Sequence, residues 1–96
     1  MADLLSAEEV AARLDDLPGW SLDDHKLHRS FRFTDFRRAF AFMSGAALAA
    51  ERLDHHPEWF NVWSKVDVHL STHSAGGITE LDFKLAQAMN ELAESL

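Results

Sequence analysis

A proline set directly after two histidines, His55-His56-Pro57, fixes the plan of this chain. Upstream, from Phe36, apolar residues recur at helical spacing. Proline cannot extend a helix's hydrogen-bond ladder and drives its predecessor out of the α region, so that helix must end near His55. Downstream the period falls to two, and Trp59–Trp63 and Val66–Thr72 read as strands joined at Ser64-Lys65. The switch point, Glu51 to Trp63, holds two histidines and two tryptophans, and Ser71-Thr-His-Ser74 supplies a third histidine where a strand can bring it alongside.

The other elements follow from local signals. Ser6 and Glu9 make a capping box and Leu5 and Val10 a hydrophobic staple, so the first helix begins at Ala7; Val10, Leu14 and Leu17 share a face until Pro18-Gly19 stops it. Trp20–Leu22 predicts a short strand, Asp23-Asp24 a turn, and Lys26–Phe33 a second strand with Leu27, Phe31 and Phe33 on one side and Arg29 breaking the alternation. His25 and His28 read as solvated. Thr34 is expected to cap the long helix with Asp35 just inside it.

Along that helix Phe36, Phe40, Met43, Ala47, Ala50 and Leu53 form one stripe, expected to be the core face. Ala39, Ala41, Gly45, Ala46 and Ala49 add a small-residue flank against which another helix can pack closely, in an oligomer for example. In the last strand Val66, Val68, Leu70 and Thr72 point one way and Asp67, His69, Ser71 and His73 the other. After the loop Ser74–Gly77, Thr79 caps a final helix with Asp82 at N3, and Leu81, Leu85, Ala88, Leu92 and Leu96 are its expected buried face. The order α-β-β-α-β-β-α predicts an α+β fold: one small domain over residues 1–96, a four-stranded, mostly antiparallel sheet with three helices on one face.

Composition excludes several functions. With 96 residues there is room for one core, and the absence of cysteine removes disulfides, thiolate metal sites and thiol nucleophiles. A net charge of -7 with nine scattered Lys and Arg argues against a direct nucleic-acid partner. No stretch reaches the roughly 18 apolar residues of a membrane span and no signal segment opens the chain, so a cytoplasmic location is expected.

Imidazole exchanges protons near neutral pH without much tuning, so three histidines about one pocket point to acid-base chemistry on a small molecule, with a set of structural histidines the alternative that the residues alone leave open. At the helix C-terminus the dipole, Asp54 and Glu51 favour the imidazolium, while burial against Trp59 favours the neutral ring. Zinc is the competing reading, but adjacent histidines diverge, whereas useful pairs sit at i,i+4 on a helix or i,i+2 on a strand. No metal is expected. Trp20, Trp59 and Trp63 are candidate apolar walls.

The run Leu53-Asp-His-His-Pro-Glu-Trp-Phe-Asn-Val-Trp63, then Val68-His-Leu-Ser-Thr-His73 and Gly-Ile-Thr-Glu-Leu-Asp82, closely resembles the pterin-4a-carbinolamine dehydratase family. The family's pattern is met at Glu51, His55, His56, Pro57, Trp63, His73 and Asp82, and the similarity weakens only at the N-terminal helix. Trp63 departs from the tyrosine common at its position.

The resemblance implies a hydro-lyase that dehydrates 4a-hydroxytetrahydropterin (4a-hydroxytetrahydrobiopterin) to quinonoid dihydropterin. This is the tetrahydrobiopterin recycling step after an aromatic amino acid hydroxylase, and it needs no cofactor beyond the pterin substrate. It implies His55 and His73 as proton-transfer groups and His56 as a positioning or second catalytic group. Glu51 and Asp54 would orient the histidines or meet the pterin's N–H donors, with Pro57, Trp59, Ser71, Thr72 and Ser74 about the substrate and Trp63 and Asp82 in support. For Asp82, capping alone is a sufficient reason. The resemblance also implies a homodimer or homotetramer and an alternative role as a coactivator-like binding partner. Because His55 and His73 lie near element ends, replacing either is expected to cost only about 1 kcal/mol or less of stability.

Overall fold

The computed structural model describes residues 3–96. Helix α1 (Ala7–Leu14) starts with the Ser6–Glu9 capping box, and its end is tied to the last helix by the Arg13–Glu80 ion pair, with the Arg13 guanidinium over the Phe83 ring. It stops at Leu14, four residues before Pro18, and Leu17 is buried from the turn that follows. Strands β1 (Ser21–Asp23) and β2 (Lys26–Arg32) form a hairpin whose turn is Asp24-His25, one residue later than expected. Both turn residues have positive φ, the geometry that matches the twist of a two-residue hairpin.

Helix α2 (Phe36–Leu53) is capped by Asp35, which accepts from the Arg38 N–H, and Thr34 lies outside it. Strands β3 (Glu58–Val62) and β4 (Lys65–Leu70) form the second hairpin, a 3-10 turn spans His73–Ala75, and α3 (Glu80–Glu94) closes the fold. The sheet order is β1-β2-β4-β3 and every pairing is antiparallel. It is the expected α+β arrangement, with β4 central and β1 and β3 at the edges. No helix of the described residues is long and apolar enough to cross a membrane.

The core lies between α2, α3 and one sheet face, where Leu27, Phe31, Val66, Val68 and Leu70 meet Phe42, Leu85 and Met89. Phe42 is fully buried, with its ring 4.5 Å from that of Phe31, so truncating it to alanine would cost about 3–5 kcal/mol. Arg29 leaves the strand alternation to reach the Pro18 carbonyl and the Asn90 side chain, which also accepts from the Trp20 indole. Gly19, at φ 85°, sits where any Cβ would meet that guanidinium at 2.7 Å.

The core face of α2 is only partly the one expected: Ala50 is buried and Met43 and Leu53 pack against the core, but the first turns are rotated. Ala39, Phe42, Ala46 and Ala50 are buried, whereas Phe36 and Phe40 are 46% and 57% exposed and Ala47 is exposed. The small-residue flank is used within the chain: α3 packs so closely that a Cβ on Gly45 would lie 3.1 Å from the Leu92 side chain. On α3 itself the buried face runs through Asp82, Phe83, Leu85, Ala86 and Met89, and Leu96 is exposed. Large side chains on α3 and the sheet fill much of the volume, so α2 meets them with Phe42 and three alanines and leaves Phe36 and Phe40 outside.

Candidate active site

The histidine turn is made by a residue that ends α2 before the proline acts. Asp54 adopts the left-handed conformation, φ 50° and ψ 44°, which aspartate tolerates better than most residues. The His55 N–H then reaches back to the Ala50 carbonyl at 2.9 Å. This six-residue closure is a helix stop that turns His55 beneath the end of the helix while Pro57 leads into β3.

His55 is therefore buried, 7% exposed, and its Nε2 lies 2.5 Å from Oδ1 of Asp82. Asp82 is fully buried, and its Oδ2 accepts from the Thr79 N–H at 2.8 Å and the Thr72 hydroxyl at 2.9 Å. Thr72 and Thr79 join their own hydroxyls at 2.7 Å. One carboxylate thus completes the α3 capping box and holds a ring from the α2–β3 connection. A carboxylate with three donors only accepts, so Nε2 of His55 carries the shared proton.

The other ring nitrogen, Nδ1, has no protein partner among the described residues. Every buried side-chain nitrogen and oxygen among them is hydrogen-bonded, so Nδ1 opens to solvent. A neutral His55 therefore presents a lone pair outward from a ring fixed at its back, the arrangement of an oriented base.

His56 is exposed, with Nε2 2.7 Å from Oε1 of Glu51, five residues earlier on α2. His73 is exposed in its 3-10 turn, which is closed by the Thr72–Gly77 bridge and by Gly76 in the left-handed region. Glu58, the residue after Pro57, has its carboxyl held below the usual range chiefly by the hydrogen bond from Lys26, with smaller contributions from the charges of His73 and His69. Thr72, the residue before His73, bonds the same Asp82 carboxylate that holds His55, so the His73 turn adjoins the histidine–proline turn. Trp59 and Pro57 are half-buried, Ser71 is half-buried and Ser74 exposed at the same end of β4.

Other expected participants stand apart. Trp63 is 67% exposed at the β3–β4 turn, and the five residues of β3 place it about 16 Å along the strand from this end. Trp20 is buried against Phe31 and cannot form a wall here. Asp54 is exposed and acts through its backbone. The 2.5 Å contact between His55 and Asp82 was not anticipated from the sequence; no local pattern links positions 27 residues apart. His28 is not simply solvated: it is half-buried, bonded to Asp67 and stacked on His69. The large groove lined by Asp16, Pro18, Arg29, Asn90 and Glu94 contains none of these histidines.

Comparison with known proteins places the chain among relatives of one fold. A protein of Rhizobium johnstonii provisionally named pterin-4-alpha-carbinolamine dehydratase is 57% identical over 91 residues, 93% of this chain and 90% of its own. One from Rhizobium etli with the same provisional name is 53% identical over 94 residues, covering 96% and 93%. A crystal structure from Brucella melitensis, described as a transcriptional coactivator/pterin dehydratase, superposes with a TM-score of 0.93 at 52% identity, covering 95% of this chain and 99% of that one. The pterin 4 alpha carbinolamine dehydratase family model matches residues 3–92, and on that match and these identities the chain belongs to this family.

Proposed function

We propose that the chain catalyses dehydration of a 4a-hydroxytetrahydropterin to quinonoid dihydropterin and water, in pterin recycling after an aromatic amino acid hydroxylase. The observation that carries this reading is His55, gripped through Nε2 by Asp82 and open at Nδ1, with His56 next to it and His73 following Thr72, which bonds the same carboxylate. The C4a–oxygen bond breaks as the hydroxyl gains a proton and leaves as water. The N5 proton is removed and the N5–H electrons form the C4a=N5 double bond. One proton is given and one taken, without change of oxidation state, so an acid and a base suffice.

In this scheme Nδ1 of His55 takes the N5 proton and His73 supplies the proton to the leaving hydroxyl. His56, steadied by Glu51, positions the substrate, and the Glu51 carboxylate, Ser71 and Ser74 meet its polar edge while Pro57 and Trp59 pack against the ring. General acid-base help is worth about 10²- to 10⁴-fold per group, enough for a substrate already prone to lose water.

The test pairs turnover with stability in His55→Ala, His73→Ala and the exposed control His25→Ala. Each of the first two should lower turnover by about 10²-fold or more over the spontaneous rate, and the control should not. His55→Ala leaves buried Asp82 short of a donor and should cost about 1–3 kcal/mol, more than an end-of-element histidine would, while His73→Ala should cost little. Unchanged turnover in both would favour a second reading, a protein-binding role. That reading draws on the description of the Brucella relative as a coactivator and on the exposed Phe36–Phe40 pair.

A further inference from the structure

The sheet face turned away from the helices carries a cluster separate from the site above. His28 of β2 and His69 of β4 are direct cross-strand partners, and their rings stack with centroids 4.4 Å apart and planes 29° from parallel. Nε2 of His28 meets Oδ1 of Asp67 at 2.9 Å, and Nε2 of His69 meets Oδ2 of Asp23 at 2.8 Å. The second oxygen of Asp67 lies 3.8 Å from Nδ1 of His69. One donor atom each from Asp23, His28 and His69 can be chosen so that all lie within 4.8 Å of one another.

Two imidazoles and one carboxylate from three adjacent strands therefore bring donor atoms together over one patch, with Asp67 bonded to His28 beside them. Hydrogen bonding accounts for each His–Asp pair singly, but not for the meeting of Asp23, His28 and His69. We infer that Asp23, His28 and His69 form a binding site for a transition-metal dication of the zinc type.

Chemistry and geometry agree on this ligand. Imidazole mixed with carboxylate suits zinc and its neighbours in the transition series, whereas calcium and magnesium prefer sets made of oxygen alone. With bonds of about 2.0–2.1 Å in a tetrahedral site, donor atoms stand about 3.3 Å apart. The His69–Asp23 pair stands at 2.8 Å and all three donor atoms lie within 4.8 Å of one another, so an ion needs the first pair to open and the third donor to draw in. The side chains are free enough to adjust, with relative exposures of 26%, 26%, 27% and 61% for His28, His69, Asp67 and Asp23. Cross-strand histidines on one face also avoid the divergence that argues against zinc at His55 and His56.

The structural consequence falls on β1. This three-residue edge strand is exposed throughout and, among the described residues, pairs only with β2. An ion shared by Asp23, His28 and His69 fastens it to both β2 and β4, so zinc should raise stability and leave turnover unchanged.

The experiment is calorimetric titration of chelator-treated full-length protein with zinc chloride, beside urea midpoints and dehydratase turnover. The expected result is one zinc per chain, a higher urea midpoint with zinc, and affinity lowered at least tenfold in both His28→Ala and His69→Ala. His28→Gln and His69→Gln, which keep a polar side chain of similar reach, serve where alanine disturbs the strand and should lose zinc equally. Turnover should be the same in wild type and variants, with or without chelator. No uptake by the wild type, affinity within tenfold of wild type in either variant, or zinc that binds but inhibits turnover through the catalytic histidines would each overturn the assignment.

Discussion

Replacing Asp82 with asparagine should reverse the tautomer of His55 and remove the base while keeping the fold. Oδ2 of Asp82 accepts the Thr79 backbone N–H and the Thr72 hydroxyl, and Oδ1 faces the ring. A backbone N–H cannot become an acceptor, so in Asp82→Asn the amide oxygen must stay on the threonine side and the NH2 must turn to His55. Nε2 then accepts, and a neutral ring carries its proton on Nδ1, the nitrogen that opens to solvent. Turnover should fall by about 10²- to 10⁴-fold, the worth of a general base.

The stability cost can be worked from the same contacts. Hydrogen bonds to a charged group contribute about 1.5–3 kcal/mol against 0.5–1.5 for neutral ones, and relief of the buried charge offsets part of the difference, so a net loss of about 2 kcal/mol is expected. A domain with about 5–15 kcal/mol in hand stays folded after that loss. Asp82→Ala is the poorer variant, because buried donors left without an acceptor cost about 1–3 kcal/mol each. Nitrogen-15 chemical shifts of the His55 ring report the tautomer, and stopped-flow ultraviolet absorbance reports quinonoid dihydropterin. A variant whose ring has reversed but whose turnover stays within about threefold of wild type would refute the base role.

Two further outcomes follow from exposed features. Strand β3 is a sheet edge whose Phe60 and Val62 are 66% and 55% exposed, and Phe36 and Phe40 are exposed on α2; an unpaired edge and exposed aromatic side chains are surfaces a second copy can cover, so light scattering should return a multiple of 10.8 kDa. Phe40→Glu with Val62→Lys should shift the mass toward 10.8 kDa, and a monomeric wild type would remove this expectation. The Glu80 carboxyl is held below its ordinary value, first by the hydrogen bond from Arg13, so its contribution to stability is present above the unfolded-state value and lost as pH falls through the lower folded one. Glu80→Gln should therefore flatten the acid limb of the urea-midpoint profile by less than about 1 kcal/mol, the pair being half exposed, and an unchanged limb would count against it.

The sequence by itself determined what depends on neighbours along the chain. Ser6 with Glu9 and Thr79 with Asp82 make their capping boxes as read, because each needs only residues three apart. The change of period at Pro57 yielded the element order and with it the α+β plan. The histidine motif singled out its family for the same reason: its spacing is local.

Tertiary structure decided whatever depends on what lies opposite. Helix α2 has two apolar surfaces, and periodicity favoured the one with Phe36 and Phe40; the side that packs is the one where Phe42 enters the core and Ala39, Ala46 and Ala50 allow close approach. Pro57 promised a helix end near His55, but the left-handed backbone of Asp54 set it at Leu53, and that one turn moved His55 from the rim into contact with Asp82. His28 read as a solvated strand residue because its partners, Asp67 and His69, belong to β4, and only the β2–β4 register places them beside it. A cap is closed by bonds within a few residues and is legible in one dimension. A core face, a held imidazole and a cross-strand histidine pair are settled by long-range packing, whose energy depends on shapes that no local pattern contains.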